Sequence, residues 1–170
     1  MHPKNSEKIV AVDSQIVTFF VEAESNSKPA SAVLQNEYNA VYDIALTYYG
    51  LWLLPKVEEE VQKIPDVAYR LKHEQSLMQL FRPTNLSESA SQIEARTKKL
   101  RMFHSDGDDC RILTEAEALE ADVLLTFDGD FEKRLKSRTS VQLIKPSQFR
   151  IPVGTPHKFR RENYGTVLIF

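Results

Sequence analysis

Two short apolar runs that each lead into an aspartate constrain the fold of this chain more than any other feature. Residues 8–12 read KIVAV and lead into Asp13, and residues 122–128 read DVLLTFD and end at Asp128. Runs that are apolar at nearly every position are typical of strands buried on both faces, as in a parallel sheet covered by helices. Because ligands bind beyond the carboxyl ends of parallel strands, we expect both carboxylates to face one crevice.

The remaining segments extend this pattern into an alternation of strands and helices. Apolar residues at helical spacing, short apolar runs and breaks at glycine and proline define these segments. The predicted helices cover 31–49, 56–64, two segments within 66–103 divided at Pro83 and Asn85, about 109–120, and Glu132 to Lys136; further strands are predicted at 51–54 and 141–144. The predicted order is β-α-β-α-α-α-α-β-α-β. It indicates an α/β three-layer sandwich with a central parallel sheet of about four to five strands flanked by helices.

Composition excludes a few classes of protein and leaves most functions open. The 170 residues include 22 Lys and Arg against 24 Asp and Glu, a net charge of −2, so overall charge makes no case for nucleic-acid binding. The single cysteine, Cys110, leaves no pair for an internal disulfide or a cysteine zinc site, which favours a reducing, cytoplasmic setting. No apolar run approaches the roughly 20 residues that span a bilayer, and MHPKNSEK has no apolar signal core, so no membrane association is expected.

Two further carboxylates are candidates for the same crevice. Asp109 stands where a helix is expected to begin, although Asp106 or Asp108 fits the capping position equally well, and simple capping is the ordinary alternative. In the run 58–60, Glu60 lies beside the inward-facing Val61 and is preferred over Glu59; a solvated helix face is the alternative. Several carboxylates in one cleft repel one another unless a cation compensates them. Oxygen donors without a Cys or His cluster favour Mg²⁺ over zinc.

Residues 109–131 resemble the C-terminal signature of PIN domains. The stretch DCRILTEA places an Asp at a helix start, and ADVLLTFDGDF is an apolar strand that ends in Thr-x-Asp-x-Asp-Phe. Val12-Asp13-Ser14 matches the family's first Asp, and the Pro55–Val61 stretch matches its Glu, hence Glu60. The resemblance covers about residues 8–149, so we divide the chain into a PIN-like nuclease domain at 1–150 and an extension at 151–170.

The resemblance implies a Mg²⁺- or Mn²⁺-dependent endoribonuclease. Many members of the family are toxins of VapC-type toxin–antitoxin pairs and many dimerise, so an RNA substrate, an antitoxin and a homodimer are expected partners. The long helical middle and the extension depart from the typical toxin. The implied catalytic residues are Asp13, Glu60, Asp109 and Asp128, the implied metal ligands are Asp13, Asp109, Asp128 and the auxiliary Asp130, and the implied substrate contacts are Ser14, Thr126, Lys133 and Arg134.

Three basic clusters are candidates for holding RNA, with an ordinary charged surface as the alternative. They are Arg96, Lys98, Lys99 and Arg101; then Lys133, Arg134, Lys136 and Arg138; then Lys158, Arg160 and Arg161. His104 is interpreted as a surface or packing histidine rather than a catalytic one.

Two other classes of protein stay open at this point. A receiver-type signalling domain also places Asp and Mg²⁺ at strand ends, and Lys145 after a late strand fits it. The acidic pair after the first strand and the acceptor Asp after the middle strand are missing, however. The other alternative is a non-catalytic PIN-like scaffold or RNA-binding protein.

Overall fold

Five short strands and seven α-helices make up the described part of the chain, residues 8–25, 31–48 and 50–152 of a computed structural model. A 3₁₀ turn, Pro146–Gln148, follows the last strand. The strands are β1 (Val10–Val12), β2 (Leu51–Leu53), β3 (Arg82–Pro83), β4 (Val123–Leu125) and β5 (Gln142–Ile144). The helices are α1 (Ser14–Glu24), α2 (Ala32–Thr47), α3 (Pro55–Gln62), α4 (Val67–Leu80), α5 (Ala90–Leu100), α6 (Gly107–Ala118) and α7 (Gly129–Leu135).

The strands form one all-parallel sheet in the order β3-β2-β1-β4-β5. Strand β1 is central, with Val10 opposite Leu51 on one side and Val123 on the other. Val10, Ala11 and Val12 are at most 1% exposed, so both faces of this strand are covered. Helix α1 packs on α2, and α5 packs on α6. The predicted α/β architecture with a helix-flanked parallel sheet is confirmed.

The strand order creates a switch point between β1 and β4. The chain runs outward from β1 through β2 to β3, and it places β4 and β5 on the opposite side of β1. Open α/β sheets bind ligands in the crevice at such a point, beyond the carboxyl ends of the strands. Receiver domains have the order 2-1-3-4-5, in which the first strand lies between the second and the third. The receiver alternative therefore does not match this topology.

The structure contains two elements that the sequence did not predict. The first is helix α1, which buries Ile16, Val17, Phe19, Phe20 and Val21. β-Branched and aromatic residues are weak helix formers, so this segment shows little local preference for a helix. Packing against α2 and capping by the preceding residue stabilise the helix instead.

Strand β3 is the second missing element. The sequence predicts only a break at Pro83, but Pro83 pairs with Leu53 at the edge of the sheet. An edge strand tolerates a proline because its missing N–H can face away from the ladder.

Several predicted boundaries shift where they affect the site. Helix α6 begins at Gly107 rather than 109, and α7 covers Gly129–Leu135 rather than 132–136. Strand β4 stops at Leu125, so Asp128 lies three residues beyond it. Phe149 is buried and contacts the Tyr48 ring edge-on, and Ile151 also packs against the core. The division of the chain at 150 stays a prediction. The final TVLIF and the basic cluster at 158–161 lie outside the described residues.

Candidate active site at the carboxyl edge of the sheet

Asp13 lies buried at the switch point, directly after β1. Its Oδ1 accepts a 2.7 Å hydrogen bond from the Gln15 amide and so caps α1. Its Oδ2 accepts a 2.6 Å bond from the Thr126 hydroxyl. Burial raises the pKa of Asp13 to about 6, the two hydrogen bonds oppose that rise, and the charges of Asp109 and Glu60 add to it. Asp13 is thus both a helix cap and a carboxylate that is costly to ionise.

Glu60 comes from α3 and reaches the same region. Ser14, at the start of α1, lies next to this carboxylate. Burial raises the pKa of Glu60, the Ser14 hydroxyl and the Lys56 charge lower it, and Asp108 and Asp109 raise it. Glu59, the second choice from the sequence, has a half-exposed side chain that pairs with Lys63 and Lys56. Glu60 is therefore the member of the run that faces the other acids.

Asp109 does not cap α6, although its position in the sequence allows it to. Asp106 is the cap of α6 and accepts from the amides of Asp108 and Asp109, at 2.8 and 3.3 Å. The Asp109 carboxylate instead accepts a 2.7 Å hydrogen bond from His104 Nε2. Burial raises its pKa; the His104 bond lowers it, whereas the charges of Asp106 and Asp128 raise it.

Asp128 caps α7 at the edge of the cluster. Its Oδ1 accepts from the amides of Asp130 and Phe131 at 2.8 and 3.0 Å, and its own amide donates to the Thr126 hydroxyl. Asp128 and Asp130 are both exposed, and Asp130 lies in the first turn of α7. Asp13 and Asp128 therefore each cap a helix, and capping occupies one carboxylate oxygen of each.

Lys56 is a member of this region that sequence reasoning missed. Its side chain is 8% exposed, and its ammonium lies 2.8 Å from Asp108, 3.3 Å from Glu59 and 3.9 Å from Glu60. Its backbone amide donates to the buried Glu115, which also accepts from Arg111. The carboxylates hold the pKa of the Lys56 ammonium above its usual value, although burial opposes them. The lysine inside the apolar run LLPKV is the sequence signal that could have indicated it.

The four predicted acids lie close enough for their charges to interact. We call them the acid cluster: Asp13, Glu60, Asp109 and Asp128. Asp13 is coupled to Glu60 and Asp109, Glu60 to Asp109, and Asp109 to Asp128. All their donor atoms are carboxylate oxygens, which suit Mg²⁺ or Mn²⁺. As placed, no three His, Cys, Asp or Glu side chains within 8–25, 31–48 and 50–152 are arranged to hold an ion. The donor chemistry suits a hard divalent cation, but the described side chains as placed do not form a site for one.

Some of the basic residues predicted to contact RNA are bonded to other residues of the protein, and others are exposed. Arg96 forms two bonds to Glu117 of 2.7 and 2.8 Å and a third to the Arg138 carbonyl, and Lys98 pairs with Glu94. Arg96 therefore braces α5 against α6 and the 138 loop. Lys133 and Arg134 are exposed in the last turn of α7, the helix that Asp128 caps. Their role in substrate binding stays a prediction, as do those of Ser14 and Thr126.

Comparison with known proteins leaves the chain without an assigned family. No family model matches the sequence, and no curated protein matches it either. A structural comparison finds FitAcB from Neisseria gonorrhoeae, with 13% sequence identity and a TM-score of 0.47 over 82% of this chain and 99% of that chain. Among the described helices, none combines the length and apolarity that a membrane crossing needs. The fold and the site define an α/β protein with an acid cluster at the switch point of a parallel sheet.

Proposed function

We propose that this chain is a divalent-metal-dependent endoribonuclease of the PIN type. The observation that carries the proposal is the acid cluster, in which carboxylates from positions 13, 60, 109 and 128 repel one another at the carboxyl edge of the sheet. Such a cluster gains stability from a cation that serves as a common counter-charge. The PIN-like resemblance of residues 109–131 supports the choice of family and of RNA as the substrate.

The proposed site holds Mg²⁺ or Mn²⁺ through Asp13, Asp109 and Asp128, with Glu60 and Asp130 as further acids. A cation bound there stabilises charge on a phosphodiester and activates water for attack. The chain's own residues keep two of the acids in place: Thr126 bonds to Asp13, and His104 bonds to Asp109. Lys133 and Arg134 contact RNA phosphates in this proposal, which makes binding salt-dependent.

The decisive experiment is a cleavage assay on labelled RNA with Mn²⁺, with Mg²⁺ and with EDTA. We expect cleavage with either metal, no cleavage in EDTA, and a loss of at least about 100-fold in Asp13→Asn and Asp109→Asn, because each removes a ligand charge. Glu120→Gln is the matched control. Glu120 is exposed and precedes β4, so it lies at the amino ends of the strands, away from the acid cluster at their carboxyl ends. Equal activity of both Asp variants and wild type overturns the proposed site.

The same assay separates the enzyme from a non-catalytic PIN-like scaffold. A scaffold binds RNA in a gel-shift experiment, and its RNA stays intact with Mn²⁺ present. If the protein acts as a toxin, its expression arrests growth and Asp13→Asn relieves the arrest. An antitoxin partner and a homodimer are part of this proposal and rest on the resemblance.

A further inference from the structure

His104 is buried beside the acid cluster and makes one side-chain hydrogen bond. Its side chain is 8% exposed, and Nε2 lies 2.7 Å from Oδ2 of Asp109. The ring stacks on Phe131 of α7 at 5.9 Å with an interplanar angle of 15°. Within the described residues, Nδ1 is buried without a hydrogen-bond partner. The imidazole thus packs on one element and bonds to a second.

This arrangement assigns the proton of the neutral ring to Nε2. A carboxylate only accepts hydrogen bonds, so the nitrogen that faces Asp109 must donate. In this tautomer of the neutral ring, the unpartnered Nδ1 carries a lone pair rather than an N–H. Nδ1 is buried and Nε2 is bonded to Asp109, which argues against proton exchange with a substrate.

The backbone around His104 holds the ring in place from both sides. Its amide donates to the Leu100 carbonyl at the end of α5, at 3.2 Å. Its carbonyl accepts from the Cys110 thiol at the start of α6, at 3.4 Å. The imidazole therefore occupies a fixed place relative to Asp109, five residues later.

We propose that His104 is a positioning residue for the proposed metal ligand Asp109: its Nε2–H holds Oδ2, which would leave the other carboxylate oxygen available to a cation. This role rests on the proposed function. Hydrogen bonds from neighbouring residues orient metal ligands, and their loss typically costs 10–100-fold in metal affinity. Packing alone does not require a donor at this place, since a phenylalanine ring stacks on Phe131 equally well.

Three substitutions in the full chain separate positioning from packing. His104→Phe keeps the stacked ring and removes the donor. His104→Gln places an amide nitrogen where Nε2 was, and His104→Asn, the matched control, places it near the former Nδ1. The readouts are the Mn²⁺ dissociation constant, measured by electron paramagnetic resonance without RNA, and kcat and KM for RNA cleavage.

We expect His104→Phe to weaken Mn²⁺ binding by roughly 10–100-fold and to lower kcat at fixed metal, with KM for RNA little changed. His104→Gln should recover most of the affinity, and His104→Asn should behave like His104→Phe. A folded His104→Phe that binds Mn²⁺ like wild type overturns the role. If His104→Phe does not fold, the comparison of Gln with Asn decides, and equal affinities overturn it.

A failure of the proposed function looks different from a failure of this role. Wild type that neither binds Mn²⁺ nor cleaves RNA overturns both. Wild type that binds and cleaves while His104→Phe matches it overturns only the role of His104. Nitrogen-15 NMR of the imidazole without metal gives an independent readout, since a proton on Nδ1 contradicts the assigned tautomer.

Discussion

The Thr126 hydroxyl donates a 2.6 Å hydrogen bond to Oδ2 of Asp13, across the junction between β1 and β4. The same hydroxyl accepts from the Asp128 amide at 3.1 Å. One small side chain therefore joins the two aspartates that follow the two neighbouring strands. Because residues 13 and 126 are 113 positions apart, this bond exists only in the assembled sheet.

Thr126→Val tests that link. Valine matches the shape of threonine but has no hydroxyl, so Asp13 Oδ2 loses its donor and the Asp128 amide loses its acceptor. We expect a loss of about 1–3 kcal/mol in the free energy of unfolding at pH 7.5, measured with urea. Thr126→Ser, which keeps the hydroxyl and lacks the methyl group, should lose less than Thr126→Val. A Thr126→Val variant as stable as wild type would contradict a stabilising role of the two hydrogen bonds.

Asp13 makes stability depend on pH in a defined direction. Its pKa is about 6 in the folded chain and 3.8 when exposed, so the folded state binds the proton more tightly. Stability from this group is fully present below about pH 4 and is lost as pH rises through about 6. The free energy of unfolding should therefore be lower at neutral pH than below about pH 4 by an amount on the order of 2–3 kcal/mol from this group.

Asp13→Asn removes this titration and keeps a side chain that caps helices well. In thermal melts with EDTA, its Tm relative to wild type should rise between pH 4 and pH 7.5. Glu120→Gln serves as the control and should show no such trend. A constant Tm difference across this range would contradict the assigned burial of a charged Asp13.

Lys56→Met tests whether the ammonium is the counter-charge of this region. Methionine retains most of the buried stem, but Asp108 and Glu60 lose this cation and Glu59 keeps Lys63 as its partner. We expect a loss of about 1–2 kcal/mol in EDTA, reduced from the value for a fully buried pair because Asp108 is 65% exposed.

The same variant should bind Mn²⁺ more tightly than wild type, because a positive charge that competes with the ion is gone. Lys63→Met is the matched control, since Lys63 pairs with Glu59 at the exposed surface, and it should change stability by less than about 1 kcal/mol. Weaker Mn²⁺ binding in Lys56→Met would show instead that Lys56 holds the acids in a binding arrangement.

Lys133 and Arg134 are expected to contact RNA, unlike Arg96. The double variant Lys133→Gln, Arg134→Gln should weaken RNA binding and reduce the slope of log affinity against log salt by about 1.4, from two lost phosphate contacts on single-stranded RNA. Arg96→Met should lower stability and leave that slope unchanged, because Arg96 is bonded to Glu117. Fluorescence anisotropy at several salt concentrations measures both slopes.

The apolar runs before Asp13 and Asp128 determined the parallel sheet and the edge at which these acids lie. A strand buried on both faces must be apolar at almost every position, and this requirement is visible in the residues themselves. The same local logic indicated Glu60, because it lies next to the inward-facing Val61. Helix α1 and strand β3 were not predictable in this way, since their formation depends on packing and edge pairing rather than on local preference.

Only the tertiary structure decided which of the neighbouring acids caps α6 and which turns inward. Asp106, Asp108 and Asp109 are chemically alike along the chain, and the position of His104 and Lys56 distinguishes them: Asp109 bonds to His104, and Asp108 pairs with Lys56. Both contacts depend on how α3, α5 and α6 pack against one another. Burial and charge coupling are properties of the assembled fold, because a side chain's solvent and neighbours are set by residues far away in the sequence.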